Sequence, residues 1–132
     1  MYLVDTNVWR EALLEQERAD EVKGFLGRVA TENLAMTDFT FHSIGVILGR
    51  LDRTEALVTF ADEAFGRGAL RLVRVRPDDT ARLVEAMNKF ELDFDDAYQF
   101  IAAETYGLKL VSYDSDLDRA PAGRLTPADA AV

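Results

Sequence analysis

The chain has 132 residues with 48% hydrophobic content, no cysteine and a formal net charge of −9; this length and apolar fraction suit one globular domain over residues 1–132 and leave no room for a second. The lack of cysteine excludes a disulfide framework and a thiolate zinc site, and no apolar run is long enough to span a bilayer, so a cytoplasmic protein without membrane contact is expected. The acidic balance argues against a broad basic surface, so any contact with nucleic acid must be local.

The first half of the chain alternates short apolar strands with helices. Val22, Phe25 and Val29 recur at helical spacing in the second predicted helix. Thr37 and Thr54 are suitable N-terminal caps for the two helices that follow. The predicted elements are strand 2–4, an amphipathic helix over 8–14, helix 16–29, strand 34–36, helix 39–51 and a helix from 54 to about 66.

The second half continues the same alternation. A strand stops at Pro77, and Gly107 is a typical left-handed terminator for the last long helix. Strands separated by helices predict an α/β fold with a parallel sheet that carries helices on both faces. The predicted elements are strand 70–75, helix 78–90, helix 95–106, strand 108–112 and a final short strand with a capped turn at 124–127.

Aspartates stand at the ends of elements that such a fold should bring together. Asp5 closes the first strand, and Asp114 and Asp116 follow the strand over 108–112. Asp96 opens the helix that leads into that strand. Ligands of parallel sheets bind beyond the carboxyl ends of the strands. Because gathered carboxylates repel one another, the group needs a cation or bound protons, and the pattern favours a divalent-metal site.

Three motifs in this order resemble the PIN domain, the nuclease fold of VapC-type toxins from bacterial toxin–antitoxin pairs. They are D-T-N at 5–7, D-A at 96–97 opening a helix, and L-V-S-Y-D-S-D at 110–116. The resemblance covers nearly the whole chain. It implies a PIN-like three-layer α/β/α sandwich with a short parallel sheet flanked by helices.

The resemblance also implies an activity, partners and a site. The implied activity is endoribonuclease hydrolysis of RNA with Mg²⁺ or Mn²⁺, which leaves a 5′-phosphate and a 3′-hydroxyl. The implied partners are an antitoxin protein and a second copy of the chain in a homodimer. The implied catalytic and metal-binding residues are Asp5, Asp96, Asp114 and Asp116, with Thr6, Asn7 and Ser112 as supporting polar groups.

One position departs from the pattern of this family. PIN domains of this kind usually carry a glutamate three residues after a threonine, early in the helix that follows the second strand. Here Thr40 is followed by Ser43 at that position, with His42 just before it. A serine hydroxyl is a poorer ligand for a hard divalent ion than a carboxylate, so metal affinity or activity is expected to be reduced. His42 is interpreted as a packed helix residue or as a general base, and Asp38 as a cap or a replacement ligand.

The acidic residues also have purely structural interpretations. The D-T-N turn is typical of a helix cap. Asp95 is best explained as a first-turn acid that complements the helix dipole, because Asp96 shares a face with apolar residues and Asp95 points elsewhere. Asp93 is interpreted as a loop acid or a spare ligand, and Asp118 as a solvated loop residue.

Two surface features have paired interpretations. The arginines at 67, 71, 74 and 76 form either a solvated strand and turn or a patch for phosphates or an acidic partner. The helices over 39–65 contain more apolar side chains than one side of a small sheet requires. That surplus indicates either a homodimer interface or a well-covered monomer core.

Two other classes of function remain open. A catalytically weakened PIN-like module that binds RNA or protein is favoured by the serine at position 43. A phosphatase or receiver domain on a doubly wound sheet also places aspartates at strand ends. Against a dehalogenase-like phosphatase, the second acid after the first strand is replaced by Asn7, and against a receiver, Lys109 lies inside the last strand and not at its end.

Overall fold

Four parallel strands form one sheet in the computed structural model, which describes residues 1–130. The strands are β1 (Tyr2–Val4), β2 (Leu34–Thr37), β3 (Arg71–Val73) and β4 (Lys109–Val111). Their order across the sheet is β3-β2-β1-β4, and each pair of neighbours is parallel. The carboxyl ends of all four strands therefore lie along the same edge, where parallel sheets bind their ligands.

Helices connect the strands and cover both faces of the sheet. The α-helices are α1 (Thr6–Leu13), α2 (Ala19–Arg28), α3 (Asp38–Arg50), α4 (Thr54–Ala61), α5 (Thr80–Phe90) and α6 (Phe94–Tyr106). A single π-turn, Asp62–Gly66, extends α4. Short 3₁₀ turns lie at Thr31–Asn33, Pro77–Asp79 and Ser115–Arg119.

The two faces of the sheet bury separate hydrophobic cores. Alternate side chains of a strand point to opposite faces, so Tyr2 and Val4 enter one core and Leu3 enters the other. The first core contains buried side chains from α1 to α4, including Val8, Phe25, Ile44 and Phe60. The second contains side chains from α5 and α6, including Leu83, Ala97 and Ile101. This arrangement confirms the predicted three-layer α/β/α sandwich.

The helix ends that border the carboxyl edge are fixed by side-chain caps. The carboxylate of Asp5 accepts a hydrogen bond of 2.8 Å from the backbone of Thr6 at the start of α1. The hydroxyl of Thr37 accepts one of 3.0 Å from the backbone of Thr40 at the start of α3. At the other end of α6, Gly107 has a φ of 65°, which confirms the predicted left-handed terminator.

Three local predictions differ from the structure. Thr54 is already the first helical residue of α4, and Arg53 precedes it without a side-chain cap. Helix α2 begins at Ala19, later than predicted, because a turn separates it from α1. The predicted last strand is reduced to one parallel bridge between Leu125 and Val111. None of the helices within residues 1–130 combines the length and the apolar character needed to cross a membrane.

Candidate metal centre

An acidic cleft of about 500 Å³ opens at the carboxyl edge of the sheet, between β1, α3 and the start of α6. The strands end here, so the residues that follow them turn toward the same space. Five aspartates line the cleft: Asp5, Asp93, Asp95, Asp96 and Asp114.

Three carboxylates converge where Asp96 and Asp114 line this cleft. Asp96, Asp114 and Asp116 each offer an oxygen, and these oxygens lie within 4.8 Å of one another. Asp96 is buried at 7% exposure in the first turn of α6, whereas Asp116 is exposed. Hard divalent ions such as Mg²⁺ and Mn²⁺ take oxygen ligands. The donor set, one buried and two more accessible carboxylates, therefore fits such an ion.

Asp5 lies in the cleft but is held differently from the other three. It is not a member of the close carboxylate group. Its Oδ1 accepts hydrogen bonds of 2.8 Å from the backbone of Thr6 and from Gln99 Nε2. Its Oδ2 accepts one of 2.7 Å from Ser112 Oγ and a longer one of 3.4 Å from Asn7 Nδ2. Four donors therefore surround the Asp5 carboxyl, two on each oxygen.

Ser112 joins the ends of β1 and β4. Its hydroxyl donates to Asp5 Oδ2 and accepts from Asn7 Nδ2 at 3.2 Å and from the backbone of Asp114 at 3.0 Å. Asn7 Oδ1 in turn accepts from the backbone of Tyr113 at 3.1 Å. A serine hydroxyl has one donor and two acceptor positions, and in Ser112 all three make hydrogen bonds. This network fixes Asp5 and Asp114 relative to each other.

A second buried network supports Asp5 from the side of α3. Gln99 Nε2 donates to Asp5 Oδ1 and also to Thr40 Oγ1, each at 2.8 Å. Thr37 Oγ1 donates to Thr40 Oγ1 at 3.2 Å. Because Thr40 already accepts two bonds, its own proton goes to Thr6 Oγ1 at 2.9 Å. Thr40, the threonine of the family pattern, therefore supports Asp5 indirectly, through its hydrogen bonds with Gln99 and Thr6.

Sequence analysis did not identify Gln99 as a site residue, although a polar residue among the apolar positions of a helix indicates a buried hydrogen-bonding role. It is a polar residue, 1% exposed, in a helix whose neighbours Ala97, Phe100 and Ile101 are buried and apolar. A buried amide in such a place needs partners elsewhere in the fold. Its Oε1 has no hydrogen-bond partner among the described residues.

Replacement of Gln99 by Met is expected to destabilise the fold by about 1–3 kcal/mol, because the buried carboxyl of Asp5 loses a hydrogen-bond donor. Urea unfolding of the two proteins over a pH series measures the difference. The Gln99 donor favours the ionised carboxyl and lowers the pKa of Asp5, so the loss should be larger at the alkaline end of the series than at the acid end. An equal loss at all pH values would show that Gln99 acts by packing alone.

Burial and mutual repulsion make the carboxyls of this cleft hard to ionise. Burial, a hydrogen bond to Asp114 and the negative charge of Asp114 raise the pKa of Asp96 to about 8. Burial also raises the pKa of Asp5, against the lowering effect of its donors, Gln99 first and Ser112 second. A divalent cation would offset both costs, so binding of the cation requires proton release.

The raised pKa of Asp96 predicts a specific loss of stability in the metal-free protein. The unfolded chain releases this proton near the ordinary aspartate pKa of 3.8, whereas the folded chain keeps it until about pH 8. The folded state therefore binds more protons between these values, and its stability falls as pH rises through this window. Between pH 5.5 and 8, the free energy of unfolding of the Asp96→Asn protein should fall by about 2 kcal/mol less than that of the wild type.

Thermal unfolding in EDTA at the two pH values measures this difference. Addition of Mn²⁺ at pH 8 should raise the melting temperature of the wild type and leave Asp96→Asn nearly unchanged. If the stabilities of the two proteins changed equally with pH, the raised pKa of Asp96 would be contradicted.

Position 43, where the family pattern has glutamate, faces the cleft. Ser43 and His42 both line it, so His42 is not the packed core residue of one sequence interpretation. Ser43 makes no side-chain hydrogen bond within residues 1–130, so its hydroxyl is open to the cleft. Asp38 does not line the cleft, since its Oδ1 accepts from Tyr98 at 2.8 Å.

Two further charged side chains line the cleft. Asp95 is an exposed acid in the first turn of α6, as predicted, and it lines the cleft without belonging to the close carboxylate group. Arg10, one turn after the D-T-N motif, also lines the cleft and is exposed. It makes no ion pair with the described residues, so its guanidinium is available to an anion.

Comparisons with known proteins agree with this architecture. The family model described as PIN domain matches residues 2–123. No curated protein sequence matches the chain. Three solved structures of similar fold are at most 19% identical in sequence.

The first is a toxin–antitoxin complex from Klebsiella pneumoniae, with 19% identity, a TM-score of 0.76, and coverage of 96% of this chain and 98% of that chain. The second is VapC20 from Mycobacterium tuberculosis, described as a toxin that cleaves the sarcin–ricin loop, with 19% identity, a TM-score of 0.74, and coverage of 95% and 97%. The third is FitAcB from Neisseria gonorrhoeae, with 17% identity, a TM-score of 0.76, and coverage of 96% and 98%.

Proposed function

The chain belongs to the PIN domain family, and from that premise we propose that it is a metal-dependent endoribonuclease and the toxin of a type II toxin–antitoxin pair. The observation that carries the proposal is the convergence of the Asp96, Asp114 and Asp116 carboxylates at the carboxyl edge of the sheet. Structures of similar fold described as a toxin–antitoxin complex and as an RNA-cleaving toxin support the biological setting.

We propose Asp96, Asp114 and Asp116 as ligands of Mg²⁺ or Mn²⁺. Asp5 would complete the set, because it lines the same cleft and its charge acts on Asp96. When bound, the cation lowers the pKa of a water molecule and neutralises charge on the phosphate.

The protein side chains supply orientation and charge. Ser112 and Asn7 hold Asp5 and the Asp114 backbone in fixed positions, so little reorganisation is needed when substrate arrives. Arg10 offers a guanidinium to a phosphate that enters the cleft. His42, beside Ser43 at the opening, is our candidate for exchange of a proton with the attacking water.

The ends of the RNA products test this chemistry. Hydrolysis by an activated water leaves a 5′-phosphate and a 3′-hydroxyl, whereas ribonucleases that use the 2′-hydroxyl leave 2′,3′-cyclic phosphates. Cleavage products of a single-stranded RNA should therefore be substrates for ligation at their 5′ ends without prior phosphorylation. Cyclic-phosphate ends would exclude the proposed mechanism.

The proposed partners are RNA, an antitoxin protein and a second copy of the chain, all in the cytoplasm. Leu51 at the C-terminal end of α3 is 52% exposed and Val58 on α4 is 69% exposed, which supports a homodimer face there. Sedimentation velocity should show a dimer, and the Val58→Glu protein should sediment as a monomer.

The alternative function is a catalytically weakened PIN-like module that binds RNA or protein. The observation in its favour is that Ser43 lines the cleft where the family pattern has glutamate. Under this alternative, the folded protein binds RNA but does not cleave it in Mn²⁺.

A further inference from the structure

We infer that three aromatic rings beside the acidic cleft, those of Phe39, Tyr98 and Phe94, form a stacking surface for an unpaired base of the RNA. This aromatic surface would place the strand so that the neighbouring phosphate enters the cleft. The inference rests on the proposed function, since it names a subsite of the same RNA-binding site.

The three rings form a continuous chain. The centroids of Phe39 and Tyr98 are 6.0 Å apart with an interplanar angle of 51°. Those of Tyr98 and Phe94 are 6.1 Å apart with an angle of 42°. Both distances lie in the range of aromatic contact. Phe39 itself lines the cleft, so the chain of rings begins inside the site and leads outward.

The outer ring is unusually exposed. Phe94 is 50% exposed, and it is the one exposed residue among the eight phenylalanines, all of which lie in the described part of the chain. Its position as the first residue of α6 does not require an aromatic side chain, because Asp93 provides the cap through a bond of 2.8 Å to the backbone of Asp96. A half-exposed ring next to a charged cleft is therefore more consistent with ligand contact than with folding.

Hydrogen bonds hold the middle ring in place. Tyr98 Oη donates to Asp38 Oδ1 at 2.8 Å and accepts from the backbone of Val75 at 3.0 Å. Tyr98 is thus fixed between the start of α3 and the segment that follows β3. A ring that is fixed before binding loses little freedom when a base stacks on the surface.

Two exposed arginines, Arg74 and Arg76, flank Val75, whose backbone donates to the hydroxyl of Tyr98. Arg74 is near enough to Tyr98 to act on its hydroxyl, against the burial that raises the pKa of Tyr98 to about 12. Arg74 and Arg76 are exposed, and neither makes an ion pair with the described residues. Arg67, in contrast, is paired with Asp62 at 2.9 Å. Within the arginine cluster of the sequence, Arg74 and Arg76 are therefore the members next to Tyr98, whereas Arg71 donates to the sulfur of Met1.

This combination of groups is suited to single-stranded nucleic acid. Bases stack on aromatic rings with little dependence on sequence, while nearby arginines bind the phosphates between them. In a duplex the bases are already stacked and paired, so they are not available to the rings. The charge of −9 restricts this contact to the local arginines, in agreement with the acidic surface elsewhere.

The test is the affinity for a labelled single-stranded RNA in Ca²⁺ and the KM for its cleavage in Mn²⁺, with Phe94→Leu and Phe94→Trp proteins. Phe94→Leu keeps the apolar character without the ring, and we expect a five- to fifty-fold weaker Kd and a similar rise in KM, with kcat changed less than twofold. Phe94→Trp should retain or increase affinity. Val84→Ala, at a 47% exposed apolar residue on α5, is the control and should match the wild type.

Three outcomes would overturn the inference. One is a Phe94→Leu protein that binds and cleaves RNA as well as the wild type. Another is equal loss of affinity in Phe94→Leu and Phe94→Trp. The last is unchanged RNA binding with weakened association to a protein partner, which would assign the surface to that partner. Because binding is measured without cleavage, a wild type that binds RNA through Phe94 but does not cut it refutes the nuclease proposal alone.

Discussion

Replacement of Asp96 by Asn is expected to lower the rate of RNA cleavage in Mn²⁺ by about 100-fold or more, because loss of even the partners of metal ligands costs 10–100-fold. Asp96 is the buried member of the close carboxylate group, so the variant removes one of the three converging charges. The amide keeps the shape of the carboxyl, and the change removes the charge with little effect on packing. The measurement is the single-turnover cleavage rate of a labelled RNA at pH 8.

The stability of this variant separates a catalytic defect from misfolding. In EDTA at pH 8 the Asp96→Asn protein should unfold at the same or a higher temperature than the wild type, since it lacks a carboxyl whose ionisation is opposed by burial. Asp20→Asn, the same chemical change at an exposed residue in the first turn of α2, is the matched control and should cleave normally. A folded Asp96→Asn protein with full activity would exclude Asp96 from the site.

Replacement of Ser43 by Glu is expected to raise the affinity for Mn²⁺ by about tenfold or more, because a carboxylate is a better ligand for a hard cation than a hydroxyl. Ser43 lines the acidic cleft, so a longer acidic side chain at this position can reach the carboxylate group from the α3 side. Isothermal titration with Mn²⁺ at pH 8 measures the change, and the cleavage rate at limiting Mn²⁺ should rise with it.

Two control variants separate the effect of charge from the effect of side-chain size at position 43. Ser43→Gln has the size of the glutamate variant without its charge, and it should bind Mn²⁺ no more tightly than the wild type. Ser43→Ala should also match the wild type, because the serine hydroxyl makes no hydrogen bond within residues 1–130. If Gln and Glu variants bind the ion equally, position 43 does not face the metal.

The fold was predictable because its signals are local. Apolar strands that alternate with helices specify the parallel sheet, and Gly107 with its φ of 65° marks a helix end in sequence and structure alike. The ends of elements were less predictable where no side chain decides them, as at Thr54, which is not a cap. The last strand was over-predicted because Leu125 contributes only a single bridge to β4.

The candidate site was predictable in its location and less so in its contacts. Aspartates at strand ends meet at one edge of a parallel sheet, and the helix that leads into β4 begins at the same edge, which places Asp96 beside Asp114. Sequence could not show that four donors surround the Asp5 carboxylate, because Gln99 and Ser112 lie 94 and 107 residues away from it. Asp95 is a first-turn acid, as predicted, but helical periodicity describes a single helix and could not show that Asp95 also lines the cleft.

The rate of cleavage of a 5′-labelled single-stranded RNA at pH 8, as a function of Mn²⁺ concentration, tests the central proposal most directly. The account predicts a saturable increase with Mn²⁺, complete loss in excess EDTA, and recovery when Mn²⁺ is restored. Cleavage that is insensitive to EDTA, or no cleavage by a folded protein that binds Mn²⁺ in titration, would contradict a metal-dependent ribonuclease.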